Sequence, residues 1–307
     1  MDPASRFAAD VADLQERLSK QAVVRAREPL AKKTTLRVGG PADLYVEPAS
    51  DADLAAVLSF CSERELPFFV LGRGSNLLVR DGGFRGVAIC LSQPYFSRVE
   101  VMGQRLNCGA GAKLKLVAIE ARRASLTGLE FLEGIPGSVG GALRMNAGAM
   151  GGEILRSVES VRMMDSHGQM SEQAGDTMSP QYRSCPMLKT NIALSATLRA
   201  EPGSREAIER RMNEFSQKRW KSQPAAPSAG CMFKNPLTVP AGKLIEELGL
   251  KGTRAGGARV SDEHGNFIVN DGTATARQVL ELIEMIKNRA KAERGIELET
   301  EVEIIGE

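Results

Sequence analysis

Two glycine-rich stretches hold the residues best suited to chemistry. The longer spans residues 128–153, GLEFLEGIPGSVGGALRMNAGAMGGE, and the shorter is Leu71-Gly-Arg-Gly-Ser-Asn76. Glycine reaches positive φ and lacks the Cβ that would hold a ligand off the backbone. Loops of this kind can aim several N–H groups at one anion. A lone glycine-rich loop is usually an ordinary turn. Two long ones with interspersed Ser and Asn suit a ligand with two phosphates, such as a dinucleotide. Neither follows the common nucleotide signatures. The shorter loop lacks the third glycine of the dinucleotide fingerprint and runs into Leu77–Val79, which reads as strand, and no Gly-Lys-Ser/Thr follows as in a P-loop. Phosphates would therefore be held by loop N–H groups rather than by a helix N-terminus.

Other reactive side chains are few. Cys61, Cys90, Cys108, Cys185 and Cys231 are odd in number, scattered and without CxxC spacing, which fits a reducing compartment and argues against a disulfide framework or a zinc site. With only His167 and His264, no His-rich metal centre is possible, and no metal is expected. Residues 182–186, YRSCP, set an arginine among apolar neighbours. Near the C-terminus Glu299, Glu301 and Glu303 alternate with Leu298, Thr300, Val302 and Ile304. That is the pattern of an edge strand with a solvated face, and spacing distinguishes none of the three.

The bulk numbers narrow the partners. A net charge of +2 over 307 residues implies no field-driven partner such as nucleic acid or an anionic membrane. Apolar content of 42% and charged content of 25% are ordinary for a soluble globular protein long enough for two cores. No signal-peptide pattern or membrane-length apolar run is visible, so a cytoplasmic protein without membrane insertion is expected, and a monomer is the default.

The elements that position these residues follow from periodicity. Phe7, Val11, Leu14 and Leu18 recur at helical spacing, predicting a helix over 5–20. A turn-rich stretch at 34–41 leads to a strand over 43–46. Ser50 with Asp53 marks a helix start, followed by Leu54, Val57, Leu58 and Cys61 on one face. Phe68–Leu71 is the next strand, so a β-α-β unit delivers the short loop at a strand end, where phosphates bind in open α/β sheets. Residues 87–109 alternate short apolar runs with turns and suggest a small β-rich second lobe. Strands are predicted over Val158–Met164 and 191–198, and residues 201–204 read as a linker before a helix over 205–220. Beyond lie a Pro/Ala/Gly loop at 223–234, a helix over 243–248, a strand over 266–270, a helix over 273–292 closed by Gly295, and a strand over 297–305.

Seven segments together resemble one family: GRGSNLLV at 72–79, the stretch at 128–153, YR at 182–183, SAGCMFKNP at 228–236, AGKLIEELGLKG at 241–252, HGNFIVN at 264–270 and GIELETEVEIIGE at 295–307. The resemblance is to UDP-N-acetylenolpyruvoylglucosamine reductase, the flavoenzyme that completes UDP-N-acetylmuramate for the bacterial cell wall. It covers about residues 34–307. The close spacing of YR and SAGCMFKNP resembles the shorter subtype, which lacks a substrate-capping insertion.

The resemblance implies an α+β fold. A two-lobed FAD-binding domain of the vanillyl-alcohol-oxidase-like kind would span residues 1–200, with lobes about 1–94 and 95–200, and a smaller α+β UDP-sugar domain would span 201–307. Non-covalent FAD and NADPH as reductant are implied, with UDP-N-acetylglucosamine enolpyruvate as substrate. The implied FAD cradle comprises Gly72, Arg73, Gly74, Ser75, Asn76 and Leu77, then Gly137, Ser138, Gly140, Gly141, Asn146, Ala147 and Gly148. Arg183 matches the family's carboxylate-binding arginine and Glu301 its C-terminal glutamate. Cys231 stands at the proton donor, where many members carry serine and others cysteine. A thiol with its ordinary pKa of about 8.5 is mostly protonated at neutral pH and is a far better acid than a hydroxyl. Tyr182, Lys221, Lys234 and Asn235 are implied for the sugar nucleotide, with Lys243 and Asn266 as weaker candidates. The chain departs from the family pattern at Cys185, where serine is common, and near Met187, where an aromatic is usual.

Two rival readings have weaker support. An oxidase of the same cofactor fold would leave SAGCMFKNP and the C-terminal glutamate without a task. A nucleotide-binding regulatory protein would have no need of Arg183, Cys231 and Glu301, yet suitable residues occupy all three positions.

Overall fold

A computed structural model describes residues 3–307, with side chains from Phe7 onward. The chain forms two compact units, each assembled from separate segments.

The first unit takes the chain up to Ala26, then Leu44–Arg73 and Gly86–Lys218. The N-terminal helix is Pro3–Arg17. It packs on helix Asp51–Glu63, where Arg64 bonds Asp10 at 2.8 Å and Arg17 bonds Glu63 at 2.7 Å. The second helix opens as expected at Ser50, whose hydroxyl accepts from Asp53 N at 3.1 Å and satisfies one of the orphan N–H groups of the first turn. Its apolar face, Leu54, Val57, Leu58 and Cys61, is buried. Strand Phe68–Leu71 pairs parallel with Phe84–Cys90, at one edge of a sheet that continues through Pro41–Glu47 to Val23–Pro29. A five-stranded antiparallel sheet forms the other lobe, in the order Met170–Ala174, Val158–Met164, Ile192–Arg199, Arg105–Gly109, Val99–Met102. Helix Leu114–Arg123 buries Leu114, Val117, Ala118 and Ala121 in the same core.

Residues 201–204 differ from the expected linker. Glu201 and Pro202 pair antiparallel with Thr127 and Leu126. Helix Arg205–Ser222 then buries Ile208 and Met212 in the first core, so the first unit runs on to Lys218.

The second unit combines Arg27–Asp43, Gly74–Arg85 and Arg219–Glu307. Leu36, Val38 and Leu78 from the two early segments share its core with Phe233, Ile283 and Val302. A four-stranded sheet runs Ser228–Cys231, Phe267–Asn270, Ala258–Val260, Arg254–Ala255. Helix Ala276–Arg294 begins in a Thr275/Gln278 capping box and ends at Gly295 in the left-handed region, φ +64°. Asp81 accepts from Ala276 N at 2.8 Å and Arg277 N at 2.9 Å, placing a carboxylate at the positive end of that helix. The C-terminal strand is shorter than expected: Glu303–Ile305 pairs parallel with Leu77–Val79, and before it Thr300 makes an isolated antiparallel bridge with Phe233. Upstream, Glu301 N and Val302 N both point at Met232 O, at 2.8 and 3.4 Å. Two successive donors on one carbonyl break the ladder, in which alternate residues bond.

Candidate active site

Strand Ser228–Cys231 carries the thiol. Ser228 lies opposite Val269 and Cys231 opposite Phe267, so three steps on one side meet two on the other. The extra residue is accommodated at Gly230, φ +76°, where glycine avoids the Cβ penalty of the left-handed region. Such a bulge re-aims the side chain beside it. Half-buried Cys231 lines a cavity of about 260 Å³ together with Asn235, Lys243, Glu246, Lys251 and His264.

The cavity wall is rich in donors. Lys251 pairs with Glu246 at 2.9 Å, and Lys243 lies 3.8 Å from Glu247. His264 Nδ1 accepts from Asn266 N at 3.1 Å, which puts the ring proton on Nε2. Burial, and then Lys251, hold its pKa below the ordinary histidine value, so the ring is a neutral donor at neutral pH. Asn235 Oδ1 accepts from Ala241 N at 3.0 Å, fixing its amide at the start of helix Ala241–Glu247. Lysines, an imidazole N–H and an amide suit an anionic ligand.

Glu301 is hydrogen-bonded through its N–H to Met232 O at 2.8 Å, one residue past Cys231. Burial separates the three glutamates that the alternating pattern leaves equivalent. Glu299 and Glu303 are exposed, and Glu301 is half-buried. Glu299 is occupied by Lys234 at 2.8 Å, which holds its carboxyl below the usual range.

Of the other residues expected at the substrate, Asn266 lines the cavity and Lys221 and Lys234 do not. Lys234 is engaged with Glu299, and Lys221 stands exposed near the end of helix Arg205–Ser222 and does not line the cavity. Asn266 spends both halves of its side chain on Phe233, at 2.8 and 2.9 Å. Lys251 and His264, which sequence reasoning did not single out, lie within two of the quoted motifs. They stand thirteen positions apart, with no periodicity to mark them as neighbours.

In the first unit, Tyr182 and Arg183 form a two-residue reversal closed by Gln181 N to Ser184 O at 2.8 Å and Ser184 N to Gln181 O at 3.2 Å. Arg183 sits at φ +55°, a conformation costing a non-glycine residue about 1–2 kcal/mol. The turn is anchored on both flanks. Cys185 N donates to Arg144 O at 2.9 Å and Asn146 Nδ2 to Gln181 O at 3.3 Å. The Arg183 guanidinium lies 5.0 Å from the exposed ring of Tyr182. Cys185 is fully buried, so a thiol where serine is common behaves as a small apolar side chain.

The glycine loops pass a fit test for a dinucleotide. In the first unit Gly72 lies against Ser138: a Cβ there would come within 2.7 Å of Ser138 Oγ, so glycine at 72 leaves room for the serine hydroxyl of the second loop. Among the described residues, the N–H groups of Gly74, Ser75 and Asn76 take no protein partner, as a phosphate-binding loop requires. The reason for Gly74 is local. At φ +60° its Cβ would lie 2.5 Å from Lys33 O, so the loop's own packing demands glycine there. Gly140 likewise packs on Ala110, 3.0 Å from Cβ to Cβ if substituted.

The comparisons agree with this geometry. A family model for an FAD binding domain matches residues 42–173, and that for the C-terminal domain of UDP-N-acetylenolpyruvoylglucosamine reductase matches residues 223–305. An FAD binding domain followed by the C-terminal domain of this reductase defines an FAD-dependent oxidoreductase. A UDP-N-acetylenolpyruvoylglucosamine reductase of Heliobacterium modesticaldum is 45% identical over 92% of this chain and 90% of its own. One from Clostridium novyi is 43% identical over 89% of each. The solved structure of the Thermus caldophilus reductase matches with TM-score 0.82 at 40% identity, covering 93% of this chain and all of that one. The chain belongs to the UDP-N-acetylenolpyruvoylglucosamine reductase family.

Proposed function

We propose that the protein reduces UDP-N-acetylglucosamine enolpyruvate to UDP-N-acetylmuramate, drawing electrons from NADPH, as a cytoplasmic monomer. Residues 1–200 serve chiefly the flavin and 201–307 the sugar nucleotide. The observation that carries the reading is the bulge at Gly230, which brings Cys231 to a donor-rich cavity one residue from the bond to Glu301.

Gly72, Arg73, Ser75, Asn76 and the glycine stretch around Ser138 would hold the FAD diphosphate through backbone N–H groups. FAD held there would supply hydride to the vinyl carbon distal to the ether oxygen, with NADPH as the electron source. The adjacent carbon then carries enolate character spread into the carboxylate. Arg183 chelates that carboxylate with two parallel charge-assisted bonds, and its left-handed backbone is the kind of strain that persists at functional sites. Cys231 gives the Sγ proton to the carbanionic carbon, and the thiolate regains one from solvent. Glu301, protonated or sharing the proton, stabilises the oxyanion. Asn235, Lys243, Lys251 and the His264 Nε2–H receive the nucleotide diphosphate.

Stopped-flow half-reactions test the scheme. Cys231→Ala keeps FAD, is reduced by NADPH at the native rate and binds the sugar nucleotide, but its reoxidation slows by about 100-fold or more. Cys231→Ser recovers much of that rate. Native reoxidation in Cys231→Ala would assign the proton to water or Glu301.

A further inference from the structure

Asn76 closes the shorter glycine loop, where the family pattern implies a cofactor residue. Its side chain has another occupation: Nδ2 donates to the carbonyl oxygen of Glu301 at 3.0 Å. Its own carbonyl accepts from Glu303 N at 3.1 Å, and the next residue, Leu77, lies opposite Glu303 in the parallel pair. The Glu301 N–H is taken by Met232 O at 2.8 Å. Both backbone polar groups of Glu301 are therefore held, one by the glycine loop and the other by the residue after Cys231. Thr35 completes the ring. Its Oγ1 lies 2.7 Å from Ser228 O and 3.2 Å from Gly74 O, and its N–H donates to Gly74 O at 3.1 Å. Loop 74–76, the Cys231 strand and the Glu301 segment form one hydrogen-bonded triangle inside the second unit.

We propose that Asn76 is a positioning residue for Glu301. Its amide donates to the Glu301 carbonyl from the glycine loop, 225 residues away in sequence. On one side Glu301 is held by chain 232–234, through its own N–H to Met232 O, the Lys234 N–H to Glu299 O at 2.9 Å and the bridge between Thr300 and Phe233; on the other the Asn76 amide holds its carbonyl. The loop has two outlets: N–H groups for the dinucleotide, and the Asn76 amide for the acid. Removing the amide frees Glu301 on one side, and a displacement of about 1 Å costs on the order of 100-fold in rate. The proposal rests on the role given to Glu301 above.

The experiment is a double-mutant cycle on the holoenzyme with Asn76→Ala, Asn76→Asp, Glu301→Gln and Asn76→Ala/Glu301→Gln. Flavin content is read from absorbance, and the two half-reactions by anaerobic stopped-flow with NADPH and then UDP-N-acetylglucosamine enolpyruvate. Asn76→Ala retains FAD, is reduced within about twofold of the native rate and is reoxidised about 10–100-fold more slowly. Asn76→Asp, of the same shape without the amide donor, is also slow and guards against a folding defect. In the Glu301→Gln background Asn76→Ala adds less than about threefold, because its effect runs through the residue already lost. Multiplicative effects in the double variant, or native reoxidation in Asn76→Ala beside a crippled Glu301→Gln, would overturn the proposal alone. Loss of FAD with slowed reduction would return Asn76 to the cofactor. Native reoxidation in Glu301→Gln would instead remove the role of Glu301 on which the proposal stands.

Discussion

Asn266 separates a residue that builds the site from one that binds in it. Its Nδ2 donates to Phe233 O at 2.8 Å, and its Oδ1 accepts from Phe233 N at 2.9 Å. Both residues are buried, at 2% and 0% exposure. Asn266→Ala strips both partners at once and leaves a backbone N–H and C=O in the core without water. Each unsatisfied group costs about 1–3 kcal/mol, so the variant should lose about 2–6 kcal/mol. That is a large part of the roughly 5–15 kcal/mol of a typical folded domain. Phe233 is two residues past Cys231, so the thiol should also be displaced and reoxidation slowed in the fraction that folds. Urea unfolding of the holoenzyme by circular dichroism measures the first effect, and stopped-flow the second. Unfolding at the native urea midpoint with weakened sugar-nucleotide binding would refute the reasoning and make Asn266 a ligand contact.

The thiols should divide by environment. Burial pushes Cys61 and Cys108 up to about 12 and Cys185 upward, while Cys90 and Cys231 are only half-buried. In a Cys90→Ser background, iodoacetamide at mildly alkaline pH should inactivate the enzyme by labelling Cys231, and bound UDP-sugar should protect it. Peptide mapping that finds Cys61 or Cys108 labelled first would contradict this. His264 sets an acid-side stability limit. Its folded pKa lies below the unfolded value of about 6.5, so the unfolded chain binds the extra proton first and stability falls as pH drops below that value. His264→Gln should flatten that loss in urea titrations between about pH 5 and 7, and an unchanged pH slope would show that folding does not lower the ring's pKa.

Much of the chain was legible because its signals are local. Strand Phe68–Leu71, strand Val158–Met164, the Ser50 start of helix Asp51–Glu63 and the Gly295 end of Ala276–Arg294 lie where periodicity and capping residues put them. Ordered motifs announced the family, and the chain matches its models as they implied. These features depend on neighbours a few residues apart, which a sequence displays directly. Relations between distant segments it does not display. Equal spacing made Glu299, Glu301 and Glu303 equivalent, until chain 232–234 bonded alongside and left only Glu301 half-buried. Residues 27–43 and 74–85 read as parts of an N-terminal domain, yet Leu36, Val38 and Leu78 are buried with Phe233 and Val302 in the second core. Gly74 read as room for a phosphate, whereas its Cβ would strike Lys33 O. In each case the deciding partner lies tens to hundreds of residues away, and only the folded chain brings it within hydrogen-bond or van der Waals reach.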